Sequence, residues 1–421
     1  MRAAPLLARA RARARARARS LIALATLTAA AAATLAACAA EPPATSPDAS
    51  TATDAAPDAP TCPRPLAPAD RTRKVVVSLP YDSAGHQAPT WALWSLDTAG
   101  TLTDTGTRFT MGRATTGEVA FTPDGAIGLA VQDDGSLGVF RVDGDAVTVV
   151  HARFEGSFYA GHVVIADDGA AALVVDGNWA NNGGGLYRVD IGCDGTLTDR
   201  GRWLPGKLAA GLHVLGTRAL VPAAELGDGS PPGADVHLLD LTREPPARIA
   251  SVDAFGDDDA IVAGSAVTHD GRFALVGDNS EFSGVPNRVA VVGVAANGAS
   301  LTAQDVLTPV EDPIAIVTSP FDDAALVVSG YGDAIYALDY APAAATPFTR
   351  LRALTYTGAR PQLPGDAVAI TRGALRGLVV VVENTGLRRV RFAGGGVVND
   401  LGKTSTGTGV AAIPGALGIQ P

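Results

Sequence analysis

Cysteine is scarce in this sequence, which has three cysteines in 421 residues. The chain has no C-x-x-C pair and no histidine cluster beside a cysteine, which argues against a structural zinc site. It also lacks the G-x-S-x-G elbow that an α/β-hydrolase mechanism requires. Residues 394–404 (GGGVVNDLGKT) fail as a phosphate-binding loop, because Val397 stands where that loop needs a glycine. The common catalytic motifs therefore have no support here.

Basic residues are also few once the N-terminus is set aside. The chain has 33 Lys and Arg against 43 Asp and Glu. Seven of the arginines, and no acidic residue, precede Cys38, so the remainder has 26 basic residues and a formal net charge of −17. This balance argues against nucleic acid as a partner and against adhesion to anionic lipid through basic patches.

Long apolar runs are absent except at the N-terminus. Arginines alternate with alanines from Arg9 to Arg19, and the uncharged stretch SLIALATLTAAAAATLAA follows up to Cys38. This pattern is typical of an export signal. The ending LAAC (35–38) resembles a bacterial lipobox, which implies cleavage before Cys38, lipid on that cysteine and a membrane anchor. An uncleaved signal anchor is the alternative. By the same resemblance, Ala39 favours the outer membrane over the inner one.

The next segment, residues 38–71, is rich in Ala, Pro, Thr, Ser and Asp and has almost no large apolar side chains. Such a composition cannot bury a core and is typical of a flexible linker. We therefore expect a signal peptide over 1–37, a linker over 38–71 and a folded region over 72–421.

The folded region contains a repeating unit of short strands. Seven first strands recur about every 40–50 residues, and six are followed by a Val- and Leu-rich second strand. The seventh, GTGVAAIPG (407–415), has no partner after it, whereas the folded region opens with an unpaired second strand, KVVVSLP (74–80). This pattern predicts an all-β, seven-bladed β-propeller in which the final strand completes the blade that the N-terminus begins. Six or eight blades are the alternative, because the fourth repeat matches least well.

The pattern FTPDG…LAV…LGVFRVD resembles the lactonase-like and YVTN-type seven-bladed propellers, whose repeats are WD40-like in size. The resemblance covers roughly residues 72–417. It implies the fold, whereas propellers of this kind include sugar lactonases, redox enzymes and pure binding modules. No catalytic motif can be transferred residue by residue.

With Cys38 lipidated, Cys62 and Cys193 remain, and exported proteins usually pair such cysteines. If the innermost strands run from the upper to the lower face, both cysteines lie at the lower face. We predict a Cys62–Cys193 disulfide, with two free thiols as the alternative.

Four ionisable residues stand at the start of predicted innermost strands: Glu118, His162, Asp312 and Asp366. Carboxylates and a histidine around a channel could perform acid–base chemistry or bind a divalent cation such as Ca²⁺, with Glu118, His162 and Asp366 as the ligands. A solvated channel mouth without a function is the alternative. The isolated His151, His213 and His237 are interpreted as packed or surface residues.

Two polar upper loops add candidate ligand-binding residues. Amides beside an aromatic ring suit carbohydrate or peptide recognition, although turn formation also explains such loops. The acidic run 257–259 could bind calcium, or it is simply an exposed loop. The candidates in the two polar loops are Asn178, Trp179, Asn181, Asn182, Asp278, Asn279, Glu281 and Asn287.

These features favour a monomeric, lipid-anchored envelope protein that binds a small molecule or a protein through its upper face. The alternative is a metal-assisted lactonase or other hydrolase that uses the channel mouth. A redox role has no haem or iron–sulfur ligand pattern to support it.

Overall fold

The computed structural model describes residues 62, 64–178, 183–206, 211–222, 233–256, 260, 262–279, 287–308 and 310–421. The predicted signal peptide, Cys38 and most of the predicted linker lie outside these ranges. No helix in the described part of the chain is long and apolar enough to cross a membrane.

The described chain is almost entirely β-structure, as predicted, and forms seven four-stranded antiparallel sheets, which are the seven blades of a propeller. Blade 1 combines β28, β1, β2 and β3, from the channel outward. Blades 2 to 7 take β4–β7, β8–β11, β12–β15, β16–β19, β20–β23 and β24–β27 in chain order. The strands are β1 (Arg73–Tyr81), β2 (Gln87–Leu96), β3 (Leu102–Thr110), β4 (Val119–Phe121), β5 (Ile127–Val131), β6 (Leu137–Asp143), β7 (Ala146–Phe154), β8 (Ala160–Ile165), β9 (Ala171–Asp176), β10 (Gly185–Ile191), β11 (Leu197–Leu204), β12 (His213–Leu215), β13 (Arg218–Pro222), β14 (Val236–Asp240), β15 (Ala247–Val252), β16 (Val262–Val267), β17 (Phe273–Asp278), β18 (Arg288–Val294), β19 (Leu301–Leu307), β20 (Pro313–Thr318), β21 (Ala324–Ser329), β22 (Ala334–Tyr340), β23 (Phe348–Ala353), β24 (Ala367–Ala369), β25 (Leu378–Glu383), β26 (Gly386–Gly394), β27 (Val397–Ser405) and β28 (Leu417–Ile419).

The hydrophobic core is divided among the interfaces between neighbouring blades. The second strands are apolar on both faces because each is covered by a blade on either side; every residue of β5, β21 and β25 is buried. Outer strands such as β3 instead alternate between exposed and partly covered positions. Seven buried apolar clusters join blade 1 to 2, 2 to 3 and so on around to 7 and 1.

Both ends of the folded region meet in blade 1. Strand β28 pairs antiparallel with β1, with Leu417 opposite Val77 and Ile419 opposite Val75. The innermost strand of this blade is not the predicted segment 407–415, which forms a loop with a short 3-10 helix at Val410–Ala412. Pro414 has no N–H to contribute to a strand ladder, which is one reason that regular pairing begins only at residue 417.

Cys62 and Cys193 form a disulfide with their Cα atoms 5.4 Å apart, which confirms the predicted pair. The residues after Cys62 pack on the lower face. Arg64 is buried and donates to the Gly192 carbonyl (2.7 Å), while the Ala67 N–H donates to the Pro123 carbonyl (2.9 Å). Contacts with the propeller therefore begin before the boundary predicted at residue 72.

Candidate functional site

The centre of the propeller holds a cavity of about 930 Å³. Its wall consists largely of small residues from the innermost strands, because these strands approach one another closely at the axis. A Cβ on Gly264, for example, would lie 2.7 Å from the backbone of Ala315 in the next blade. Because most wall residues are small, the few larger polar side chains can extend into the cavity.

Glu118 and His162 form an ion pair on the cavity wall. Glu118 immediately precedes β4 and His162 lies in β8, so adjacent innermost strands bring them together; His162 Nδ1 lies 2.9 Å from Glu118 Oε2. Burial by itself would lower the pKa of His162, but attraction to Glu118, with hydrogen bonds to Glu118 and to the Leu212 carbonyl, raises it above 6.5 overall. The pair therefore keeps His162 protonated up to a higher pH than a free imidazole.

Asp366 lies beside this pair, just before β24. Its Oδ1 accepts a hydrogen bond from the Ala367 N–H at 2.7 Å, while Oδ2 is buried and has no hydrogen-bond partner among the described residues. Burial, and then repulsion from Glu118, raises the pKa of Asp366 to about 7. A carboxyl with this pKa gains and loses a proton at neutral pH, as a general base or acid must.

His213 also lines the channel, which corrects its interpretation as a packed or surface histidine. Its Nε2 lies 2.8 Å from Ser265 Oγ. Burial, and then repulsion from the His162 cation, lowers the pKa of His213 to about 4, so this imidazole is neutral. The sequence analysis did not identify His213 as a channel residue because its position in the repeat differs. His162 directly follows the glycine of its segment (GHVV), whereas His213 comes one residue later in its own (GLHV).

Asp312 also lines the cavity, but its carboxylate is hydrogen-bonded to neighbouring residues of the rim. It is only 3% exposed, and its oxygens accept hydrogen bonds from Asn279 Nδ2 (2.6 Å) and from the Tyr331 N–H (2.7 Å). Asp312 therefore supports the rim of the cavity. Of the four predicted channel residues, Glu118, His162 and Asp366 interact with one another.

The predicted metal set remains a prediction. Within the described ranges, no three His, Cys, Asp or Glu side chains are placed to hold one metal ion. Of the two polar loops, Trp179, Asn181, Asn182 and Glu281 lie outside the described residues, as does the acidic run 257–259. The Asn178 N–H donates to Asp176 Oδ1 (2.7 Å), a turn contact.

Comparison with known proteins identifies the fold. No family model and no curated protein sequence matches this chain. Among solved structures, a protein from Lactobacillus plantarum aligns with a TM-score of 0.62 at 13% identity, covering 83% of this chain and all of that one. The periplasmic gluconolactonase of Pseudomonas aeruginosa aligns with a TM-score of 0.60 at 14% identity, covering 83% and 99%. A putative 6-phosphogluconolactonase from Bacteroides fragilis gives 0.58 at 11%, covering 83% and 98%. At these identities the likeness concerns the fold.

Proposed function

We propose that this protein is a hydrolase that opens lactones or related esters in its central channel. The observation that carries the proposal is the position of Asp366, a carboxyl with a pKa raised to about 7, beside the Glu118–His162 ion pair on the wall of a 930 Å³ cavity. The likeness in fold to a gluconolactonase and to a putative 6-phosphogluconolactonase is compatible with it.

In the proposed reaction, ionised Asp366 takes a proton from a water molecule as its oxygen attacks the ester carbonyl carbon. The carbonyl oxygen becomes negative, and the nearby His162 imidazolium stabilises this charge. The ester C–O bond then breaks, and Asp366 returns its proton to the leaving alkoxide. One lactone and one water give one hydroxy acid. Glu118 acts by keeping His162 protonated.

Of the predicted ligands, the carboxyl oxygens of Glu118 and Asp366 suit a divalent cation such as Ca²⁺, whereas the imidazole of His162 does not, and a bound cation would polarise the carbonyl. The proposed reaction assigns each of its steps to Asp366 and His162 and none to a divalent cation. Activity measured with added Ca²⁺ and with EDTA tests this part of the proposal.

The test is turnover of dihydrocoumarin, an aromatic lactone, by the purified protein. We expect Asp366→Asn to lower kcat by about 10²–10⁴-fold, the usual contribution of a general base. Glu118→Gln should shift the alkaline limb of the pH profile downward, because His162 loses its carboxylate. Asp167→Asn, at an exposed lower-face turn, is the matched control. Absence of turnover, or equal rates in wild type and Asp366→Asn, would refute the proposal.

A binding module is the second candidate, because the cavity rim carries Tyr331 with 72% of its surface exposed. Ligand binding without turnover would favour it.

We further propose a monomer anchored by lipid on Cys38 in the outer membrane. Incorporation of labelled palmitate that is lost in Cys38→Ala would support the anchor, and fractionation would test the location.

A further inference from the structure

The charge of the cavity wall restricts what the channel can bind. Among the described residues that line it, none is lysine or arginine, whereas Glu118, Asp312 and Asp366 are acidic. The one cation expected there, His162, is already paired with Glu118. Exposed Arg360 contacts the Asp333 carbonyl at 3.4 Å and does not line the cavity. An anionic ligand would therefore meet three carboxyl groups and a single cation, His162, whose charge Glu118 already balances.

The stretches of the propeller region outside the described residues are also acidic overall. By sequence, residues 179–182, 207–210, 223–232, 257–259 and 280–286 add one lysine and six acidic residues.

One side of the rim presents apolar surface to the cavity. Tyr331 and Leu363 both line it, with 72% and 56% of their surfaces exposed. A lone exposed side chain needs no explanation, but these two both lie at the mouth of the central cavity. They offer an aromatic ring and an aliphatic side chain to whatever enters.

The backbone holds these two side chains in place. The Tyr331 N–H donates to Asp312, and the Leu363 N–H donates to Asp333 Oδ1 at 2.8 Å, which ties the rim of blade 6 to that of blade 7. Asp312, Asp333 and Leu363 have φ values of 44°, 49° and 44°, a left-handed conformation that is costly for residues other than glycine.

The glycines on either side of Tyr331 belong to the same arrangement. A Cβ on Gly330 would lie 2.6 Å from Asp312 Oδ2, and one on Gly332 would lie 2.1 Å from Ser329 Oγ. The tight Gly-Tyr-Gly turn thus brings the aromatic residue to the rim while its N–H stays bonded to Asp312.

We propose that the channel mouth selects an uncharged ligand with an apolar ring face, which packs on Tyr331 and Leu363, and that it rejects the anionic form of the same ligand. This inference rests on the proposed function for the site and for the lactone ring as its ligand.

A matched pair of lactams tests the inference without catalysis. They are 3,4-dihydroquinolin-2-one, an uncharged amide analogue of dihydrocoumarin, and the same compound with a carboxylate at position 4. Calorimetric titration of the full-length protein should show the uncharged lactam binding at least ten-fold more tightly. Tyr331→Ala should weaken it several-fold, Tyr331→Phe should retain it, and Leu363→Lys should reduce or reverse the preference.

Phe321→Ala is the control, since Phe321 is also exposed but does not line the cavity. Equal or tighter binding of the carboxylate, or no binding of either lactam, would overturn the inference. If the lactam preference holds while dihydrocoumarin is not hydrolysed, the proposed hydrolase fails and the charge selection stands.

Discussion

Replacing Asp366 with asparagine should make the protein more stable at alkaline pH and leave its stability unchanged in acid. In the folded protein, burial and Glu118 raise the pKa of this carboxyl from 3.8 to about 7. The folded state therefore binds a proton more tightly than the unfolded state does. Stability falls as the pH rises from about 4 to about 7, because the proton must leave an environment that disfavours the charge.

The size of the effect follows from the two pKa values. A rise from 3.8 to about 7 corresponds to roughly 4 kcal/mol against the folded state once both states are ionised. Because the Asp366 residue is half-buried and part of its surface stays exposed, we discount this to about 2 kcal/mol. Asparagine has nearly the same shape, can accept the same Ala367 hydrogen bond and carries no charge.

The assay is urea unfolding at pH 4, 6 and 8, followed by circular dichroism, for wild type, Asp366→Asn and the exposed control Asp167→Asn. We expect the Asp366→Asn variant to gain about 2 kcal/mol at pH 8, with little difference at pH 4. A gain that does not change with pH, or a loss at pH 8, would show that the carboxyl is not held in a charge-disfavouring site. A gain in stability with a loss of activity is the trade expected of a functional residue.

Three further predictions concern the framework. Arg388→Met should cost about 3–5 kcal/mol, because it removes the cation that lies 2.9 Å from the buried carboxylate of Glu383 and 2.8 Å from that of Asp400. Glu383 keeps Lys403 at 3.4 Å, whereas Asp400 loses its ion-pair partner. Arg153→Met, half-exposed, should cost under about 1 kcal/mol, and equal urea midpoints for the two variants would contradict this. Cys193→Ser, which opens the loop closed by the disulfide, should lower stability by about 2–5 kcal/mol, and an unchanged midpoint under non-reducing conditions would count against a stabilising bond. Deleting residues 417–421 removes the innermost strand of blade 1 and exposes the edge of β1. Size-exclusion chromatography should then show unfolded or associated protein. A stable monomer would show that closure by β28 is dispensable.

Much of the fold was predictable because its information is local and repeated. Each blade repeats the same order of strands and turns, and middle strands such as AALVVS in β21 are apolar throughout, since both faces are covered. The exception was the end of the chain. The segment 407–415 resembles the other first strands in sequence, yet the strand that pairs with β1 begins at Leu417. Tertiary contacts with β1 and with the cavity wall select the residues that pair, and the local sequence pattern does not contain those contacts.

The site was predictable only in part. The position of Glu118, His162 and Asp366 at the start of innermost strands placed them at the channel mouth, since propeller geometry brings those positions together. The sequence could not distinguish Asp312, whose carboxylate is occupied by the rim, from Asp366, whose carboxyl faces Glu118. It also missed His213 and the exposed Tyr331, which have no recognisable motif around them.

By itself, the sequence determined the acidic charge and predicted the all-β class and the seven repeats, because these depend on composition or on spacing along the chain. It also predicted the Cys62–Cys193 pair, from the usual pairing of cysteines in exported proteins and from the face on which the propeller places both residues. The tertiary structure alone decided which side chains share the cavity and how they titrate. Those properties depend on distances between residues that are 44 to 248 positions apart in the chain, namely Glu118, His162 and Asp366, and on how far neighbouring blades exclude water from them.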